Sequence, residues 1–288
     1  IMSIATSLNA RFISNFTTME ATPYRVSTIT CNGSIGSSVD LTELYSILPL
    51  MKDSDAFGFI YVMDRHGKES KGISPRKKST KSKNQEKERR FDNAISTYFK
   101  IQDQYTPSVK IFKNGTIQMT GLKTIVDGEK LHRMVFETML KVYPQFPNVF
   151  EKEPVFQSNV FYIRLINSDF SVPYLIRRKD LHRLLISDAY QNSCSFQPEK
   201  YPGVKLQYFW NPVIGTQNGV CNCTQAKCFG KGNGNGHGQC KKVTISLFES
   251  GKILITGAVN FEQINDAYGY ITKVLKDNYG VVHKEVLV

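Results

Sequence analysis

Five residues able to bind a metal ion lie within twenty positions in the C-terminal half of the chain: Cys221, Cys223, Cys228, His237 and Cys240. A structural zinc ion takes four thiolate or imidazole ligands in a tetrahedron, so the group contains enough ligands for one ion. The spacing Cys-X-Cys-X4-Cys-X8-His-X2-Cys matches no common zinc finger, because Cys-X-Cys is tighter than the usual Cys-X2-Cys. The pattern is compatible with a structural zinc site, with free thiols in a flexible loop, or with a redox-sensitive pair.

Two long irregular segments interrupt an otherwise regular sequence. The first, "RHGKESKGISPRKKSTKSKNQEKERR" from Arg65, contains eleven Lys/Arg and three Glu, so it contributes +8 of the formal net charge of +12. Its few apolar residues predict a disordered loop. Such a loop could be a solvated tail, a nuclear-localisation signal or a sequence-independent DNA-binding arm. The second segment is rich in Gly and Asn and contains the five metal-binding candidates.

The remaining composition predicts an intracellular protein. Cys31 and Cys194 are predicted to be buried single cysteines, because six cysteines among 288 residues do not make a disulfide scaffold. The sequence shows no secretory signal pattern and no run of about 18 apolar residues, which predicts that the chain is neither secreted nor membrane-spanning. The net charge of +12 indicates an anionic partner.

A ten-residue pattern occurs twice, as "FKNGTIQMTG" from Phe112 and "FESGKILITG" from Phe248. Apolar residues at helical spacing follow each copy, and each half opens with a strand and a short helix, with Asp40 and Asp180 as predicted helix N-caps. The predicted unit is strand, helix, three strands, helix, present twice, with both irregular segments inserted before the Phe-containing strand. This order predicts an α+β fold in which helices cover one face of an antiparallel sheet.

Side chains alternate along these strands, so each copy separates into two faces. Ile and Met form one face, which is predicted to pack against the helices. The other face mixes polar and apolar residues, which suits a nucleic-acid groove: Thr116, Gln118 and Thr120 in the first copy, and Lys252, Leu254 and Thr256 in the second. On the first strand of each half, Thr30 with Asn32 and Leu165 with Asn167 form matching pairs. An Asn amide there can donate to minor-groove acceptors, although Asn32 and Asn167 are also compatible with simple turns.

The segments "VSTITCN…DLTEL", "PSVKIFKNGTIQMTGLK", "PEKYPGV" and "TISLFESGKILITGA" resemble the core of the TATA-binding protein (TBP) family. The resemblance covers about residues 25–64, 106–145 and 158–288, and the insertions are similar to those of TBP-like proteins of large nucleocytoplasmic DNA viruses. It implies a saddle of two pseudo-symmetric repeats that form one curved antiparallel sheet with helices on the convex face. The implied organisation is an extension at 1–24 and repeats at 25–150 and 151–288, with insertions at 65–95 and 211–242.

The resemblance also implies roles for individual residues. Members of the family kink DNA by about 80° and push apolar wedges between base steps. The wedge positions fall on Phe57, Phe112, Tyr201 and Phe248, of which Tyr201 departs from Phe. Groove-floor threonines fall on Thr120 and Thr256, and the family's central asparagines fall on Thr30 and Leu165, for which Asn32 and Asn167 can stand in. Gln118, Leu254 and Lys110 complete the predicted DNA-binding set.

The partners implied are A·T-rich duplex DNA in the minor groove, a B-type initiation factor near Glu199, and the RNA polymerase machinery. The predicted function is non-enzymatic promoter binding by a monomer in the nucleus or a viral factory, with packaging into the virion left open. Two alternatives are a protein-interaction module that has lost specific DNA binding and a DNA-repair enzyme of similar fold. Zinc is the one cofactor that the sequence suggests.

Overall fold

The computed structural model describes residues 20–75, 93–102, 105–215, 218–224 and 228–284. They form two compact units, each described here by itself. The first unit is Thr28–Arg164, and the second runs from Leu165 and includes the described residues before Thr28. Most of the predicted basic insertion, at residues 76–92, lies outside the described residues. Among the described residues, no helix has the length and the apolar content needed to cross a bilayer.

The described part of the first unit contains an antiparallel sheet of six strands, two α-helices and two short 3₁₀ helices, Pro147–Val149 and Ser158–Val160. The strands are β1 (Arg25–Ser34), β2 (Gly58–Met63), β3 (Ser70–Gly72), β4 (Ala94–Lys100), β5 (Ser108–Phe112) and β6 (Thr116–Leu122). Their spatial order is β3-β2-β4-β5-β6-β1. Helix α1 (Leu41–Ile47) follows β1, and helix α2 (Ile125–Val142) follows β6 and packs on β6 and β2.

The second unit repeats this plan with a five-stranded antiparallel sheet in the order β7-β12-β11-β10-β9. Its strands are β7 (Tyr162–Ser171), β8 (Leu175–Ile176), β9 (Ser193–Ser195), β10 (Val204–Trp210), β11 (Lys241–Leu247), β12 (Lys252–Ala258) and β13 (His283–Lys284), of which β8 and β13 form a separate pair. The helices are α3 (Arg178–Ile186), α4 (Phe261–Asp277) and α5 (Tyr279–Val282). Helix α4 packs on β10, β11 and β12. The predicted α+β architecture is confirmed.

The duplicated ten residues adopt the same backbone conformation in both units. Each copy forms the turn and second strand of an antiparallel pair, β5–β6 or β11–β12. The first glycine has φ +78° at Gly115 and +81° at Gly251, and the second has φ +93° at Gly121 and +92° at Gly257. All four values lie in a region that favours glycine, so the sequence match reflects a shared backbone geometry.

Strand β4 was not predicted from the sequence, and its position changes the alignment of the two halves. In the sheet order, β4 holds the place in the first unit that β10 holds in the second, whereas β2 corresponds to β9. The two long insertions therefore do not occupy the same place, because one precedes β4 and the other separates β10 from β11. Part of the stretch predicted to be disordered is strand β3, which pairs with Tyr61–Met63 of β2.

The buried face of each sheet packs under the helices. In the first unit it contains fully buried residues of β4, β5 and β6: Ile95, Phe99, Val109, Ile111, Ile117 and Met119. In the second unit the equivalent layer is Leu206, Tyr208, Val243, Ile245, Ile253 and Ile255. This apolar burial is the main source of stability, at about 25 cal/mol per Å² of apolar area removed from water.

The two predicted helix caps have different outcomes. Asp40 caps α1, because its carboxylate accepts hydrogen bonds from the backbone N–H groups of Thr42 at 2.8 Å and Glu43 at 2.9 Å. The Glu43 bond, the largest cause, holds the pKa of Asp40 below its usual value. Asp180 is not an N-cap. It lies inside the first turn of α3 and forms an ion pair with Arg183 at 3.4 Å.

His132 on α2 is a buried titratable group that connects the helix to β1. It is 1% exposed, its ring lies 4.9 Å from that of Phe156, and its Nε2 is 2.7 Å from the carbonyl oxygen of Ser34. Burial is the largest cause that lowers the pKa of His132, with the charge of Arg133 adding to it and the hydrogen bond to Ser34 opposing it. The folded protein therefore favours neutral His132.

We expect the stability of the protein to fall as the pH is lowered from 7.5 to 5. Below the unfolded pKa of about 6.5 the unfolded chain binds a proton at His132 that the folded chain does not yet bind, so the free energy of unfolding decreases as the pH falls. His132→Gln should flatten this slope in urea titrations at several pH values. Equal slopes for wild type and His132→Gln would contradict the assignment.

Candidate functional site

The side chains of the first unit's sheet divide between the buried face and an opposite, mostly half-buried face, which we call the first open face. The cross-strand register places hydroxyl, amide, amine and aromatic groups side by side on it. Its members from β1 across to β2 are Thr30, Asn32 and Ser34; Thr116, Gln118 and Thr120; Ser108, Lys110 and Phe112; Ser96 and Tyr98; and Tyr61. This arrangement can hydrogen-bond to a polar ligand and also contact apolar surface.

The second unit has an equivalent second open face. Its members from β7 across to β10 are Leu165, Asn167 and Asp169; Leu254 and Thr256; Thr244 and Ser246; and Lys205, Gln207 and Phe209. The predicted groove-floor threonines occupy corresponding places, since Thr120 is opposite Ser108 of β5 and Thr256 is opposite Thr244 of β11. The hydroxyl oxygens of Thr30 and Thr120 are 3.5 Å apart.

The two predicted asparagines lie on the open faces but at different register positions. Asn32 is opposite Gln118. Leu254 is the residue of the second copy that is equivalent to Gln118, and the residue opposite it is Asp169 rather than Asn167. Asn32 donates to the hydroxyl of Tyr162 at 2.9 Å. Within the described part of the chain, the side-chain carbonyl oxygens of Asn32 and Asn167 are buried and have no hydrogen-bond partner. Unpartnered buried acceptors are rare, so these amides are candidates for ligand contact.

Two predicted wedge residues of the second unit lie together at one end of its sheet. The rings of Tyr201 and Phe248 are 5.7 Å apart with an interplanar angle of 57°. The Nζ of Lys205 lies 3.9 Å from the centre of the Tyr201 ring, within cation–π distance. A Cβ on Gly203 would lie 2.8 Å from Tyr201 and 3.2 Å from Phe248, so the absence of a side chain there makes room for both rings.

In the first unit the predicted wedges do not come together. Phe112 ends β5 in phase with Lys110, so it lies on the first open face as predicted. Phe57 does not lie on that face. Its ring stacks on the buried Phe99 at 6.1 Å, and the Nζ of Lys141 on α2 is 6.0 Å from its centre. Phe57 therefore lies on the helix side of the sheet, because the strand that it precedes is β2 rather than β4.

A carboxylate on the second open face was missed by the sequence analysis. Asp169 accepts a hydrogen bond from Ser27 at 2.5 Å and pairs with Arg25 at 2.9 Å. Burial, the largest cause, raises the pKa of Asp169, but these hydrogen bonds and the charges of Arg25 and Lys252 outweigh it and leave the pKa below its usual value. The side chain of Arg25 is 75% exposed, so the pair presents a cation to solvent. Only the strand register reveals this position.

Four of the five predicted metal ligands converge, and we call them the cysteine cluster: Cys221, Cys223, Cys228 and Cys240. Their sulfur atoms all lie within 4.8 Å of one another. His237 is outside the cluster, with its Nδ1 accepting from the backbone N–H of Thr224 at 3.3 Å. Burial raises the pKa of Cys228, but hydrogen bonds from the backbone of Gly230 and from Cys240 outweigh it and lower the pKa to about 7. Of the two remaining cysteines, Cys31 is buried and Cys194 is half-buried.

Comparison with known proteins finds similarity to one family in sequence and in structure. The family model described as "Transcription factor TFIID (or TATA-binding protein, TBP)" matches residues 236–278, which include β12 and α4. A "TATA-box-binding protein-like" protein of Acanthamoeba polyphaga mimivirus is 26% identical over 270 residues, which is 88% of this chain and 65% of that protein. The structure of Methanococcus jannaschii TBP covers 89% of this chain, and 99% of its own, at a TM-score of 0.46 and 15% identity. The resemblance predicted from the sequence is confirmed.

Proposed function

We propose that this chain, a divergent TBP-like protein, is a non-enzymatic transcription factor that binds duplex DNA through the minor groove and bends it. The observation that carries the proposal is the pair of half-exposed rings, Tyr201 and Phe248, at the end of the second open face with Lys205 beside them. An aromatic pair in such a place can enter a base step, while the lysine supplies a charge for the phosphate backbone.

The composition of the open faces supports the same ligand. Minor-groove acceptors are N3 of adenine and O2 of thymine, and the hydroxyl and amide groups of Thr120, Thr256 and Gln118 can donate to such atoms. The side-chain carbonyl oxygen of the half-buried Gln118 can accept from the amino group of guanine, which is the one donor in that groove. We therefore propose A·T-rich sites with tolerance of G·C pairs at defined positions.

The position of β4 supplies a different candidate for the missing wedge of the first unit. Tyr201 stands three residues before the first residue of β10, and Phe91 stands three residues before the first residue of β4. Because β4 and β10 hold equivalent places in the sheet order, we propose Phe91 instead of Phe57 as the counterpart of Tyr201. Phe91 lies outside the described residues, so this proposal rests on the sequence and on the position of β4.

Selection of bound duplexes from a random pool at two salt concentrations tests the proposed function. We expect A·T-rich duplexes to be enriched at both concentrations, with weaker total binding at the higher one because the release of counterions from the phosphates is less favourable in more concentrated salt. Fluorescence energy transfer across an enriched duplex should increase on binding, as its ends approach each other. Binding to RNA polymerase or initiation-factor subunits with no measurable duplex affinity would instead support the protein-interaction alternative.

The proposed protein partner is a B-type initiation factor. Glu199 is exposed in the turn immediately before Tyr201, where a partner could reach it without covering the open faces. Pull-down of such a factor by the wild-type chain and by Glu199→Lys would test this contact. We expect the charge reversal to weaken capture and to leave duplex binding unchanged, because Glu199 lies outside both open faces.

Asp169→Asn should strengthen duplex binding by about threefold to tenfold. The substitution removes a negative charge from the second open face and releases Arg25, which is then free to contact a phosphate, so the salt dependence of binding should steepen by about one phosphate contact. Fluorescence anisotropy over a range of KCl concentrations measures both effects. Asp180→Asn on α3 is the matched control and should change neither. An unaltered Kd and salt slope in Asp169→Asn would contradict the proposed orientation of this face toward DNA.

A further inference from the structure

We propose that the cysteine cluster binds one Zn²⁺ ion through its four thiolates, and that this ion fixes the insertion between β10 and β11. No member of the cluster lies on either open face, so the site is separate from the proposed DNA-binding residues. The inference does not depend on the proposed function, because it rests on sulfur geometry and on the groups that surround the sulfurs.

The distances between the sulfur atoms suit a shared ion. Four sulfurs at about 2.3 Å from a tetrahedral zinc lie about 3.8 Å from one another. The Sγ of Cys240 lies 3.7 Å from that of Cys221 and 3.4 Å from that of Cys223, and all four sulfurs lie within 4.8 Å of one another. A disulfide requires about 2.05 Å, and all four cysteines are free thiols. Convergence of four sulfurs, rather than of two, favours a metal over a redox pair.

Hydrogen-bond donors surround the sulfurs as a thiolate site requires. The backbone N–H of Gly238 donates to Sγ of Cys223 at 3.1 Å, and the buried amide of Asn211 donates to Sγ of Cys240 at 3.5 Å. Donors of this kind stabilise negative charge on the ligands and orient them toward the metal.

The cluster joins three separate parts of the chain. Cys221 and Cys223 follow β10, Cys228 lies in the glycine-rich loop, and Cys240 immediately precedes β11. The loop contributes few apolar side chains to the core, and Phe229 is 66% exposed. The backbone N–H of Lys242 donates to the carbonyl oxygen of Gly230 at 2.8 Å, which holds the loop against β11. A bound ion would supply the folding free energy that the loop lacks.

The softness of the four thiolate ligands determines which metal is expected at the site. Thiolates are soft ligands that favour zinc or iron over magnesium and calcium, and four of them without an open position are typical of a structural rather than a catalytic site. A closed site supplies no water for hydrolysis. The ion is therefore expected to be structural.

Metal analysis of the full chain, purified without chelator, tests the proposal. We expect one equivalent of zinc per chain, and after exchange we expect one equivalent of Co²⁺ with the absorption of a tetrahedral thiolate complex. This measurement needs no substitution, so it does not depend on the folding of a variant. A zinc-supplemented chain that contains no metal, or one that contains iron instead, would overturn the proposal.

Three variants separate the four-sulfur site from the alternatives. Cys228→Ser should lose the thiolate absorption of Co²⁺ and bind zinc at least tenfold more weakly in competition with a chelator. His237→Ala and Cys194→Ser should retain one zinc, because neither residue belongs to the cluster. Loss of zinc from His237→Ala equal to that from Cys228→Ser would overturn the four-thiolate assignment. A disulfide between cluster cysteines in the reduced, zinc-supplemented chain would overturn it as well. Duplex binding is not a readout here, so failure of the proposed function leaves these outcomes unchanged.

Discussion

Phe248→Ala is expected to weaken duplex binding by about tenfold, which is ~1.4 kcal/mol, and to reduce the DNA bend angle. Phe248 shares the end of the second open face with Tyr201, and its ring is half-exposed where a base step could receive it. Unstacking a base step costs a few kcal/mol, and the bent duplex offsets this by contacting more protein surface. Without the ring the step stays stacked, so the bend and the contacts that depend on it are lost together.

The controls for this prediction come from the first unit. Phe112→Ala, on the first open face, should reduce affinity and bending in the same direction as Phe248→Ala. Phe57→Ala should change neither, because its ring packs beside Phe99 and Lys141 on the helix side. Bending is measured by energy transfer between the ends of a labelled duplex, and affinity by anisotropy. If Phe248→Ala bends DNA like the parent, the ring pair is not a wedge.

Gly115→Ala and Gly251→Ala are each expected to lower the free energy of unfolding by about 3 kcal/mol or more. A left-handed conformation costs a non-glycine residue about 1–2 kcal/mol. A Cβ on Gly115 would also lie 2.0 Å from the carbonyl oxygen of Ser37, and one on Gly251 would lie 2.5 Å from the carbonyl oxygens of Val172 and Tyr174. These are backbone atoms, which cannot move aside as a side chain can, so the strain and the clash add.

Gly121→Ala measures the cost in unfolding free energy of the left-handed backbone conformation alone. Gly121 has φ +93°, but the nearest atom to its added Cβ lies at 3.8 Å, so only the conformational cost of about 1–2 kcal/mol remains. Urea denaturation gives the three free energies, and thermal melts should show a loss of at least about 6 °C for Gly115→Ala and Gly251→Ala. Equal losses in all three variants would show that the close contacts do not contribute.

The repeat was predictable because its signals are local. Alternating side chains, a Gly at the turn and a following amphipathic helix all lie within one short window, and the structure confirms them in both halves. Strand β4 also alternates, with Ile95, Thr97 and Phe99 buried and Ser96 and Tyr98 half-buried. It was missed because it follows a highly charged segment and has hydroxyl residues on its outer face. Because β4 was not recognised, β2 was matched with β10, and the wedge position was assigned to Phe57 before β2.

Other features depend on long-range geometry that no local pattern contains. The spacing of Cys228, His237 and Cys240 shows that ligands are available but not which of them converge, and the loop conformation turns His237 toward Thr224. Asp169 follows Asn and Ser in the sequence, a composition typical of a turn. Its place on the open face follows from pairing with β12, and its partner Arg25 lies more than a hundred residues away. The convergence of such distant groups is a property of the fold.

The unequal chemistry of the two open faces would affect the orientation in which a partner binds. An amide pair, Asn32 and Gln118, occupies one face where the other carries a carboxylate and an aliphatic group, Asp169 and Leu254. A partner with two different halves would therefore bind with different free energies in its forward and reversed placements. Under the proposed function, this difference would make the protein bind an asymmetric promoter in one preferred orientation. An asymmetric DNA site would thus fix the orientation of the bound protein, whereas a palindromic site would not.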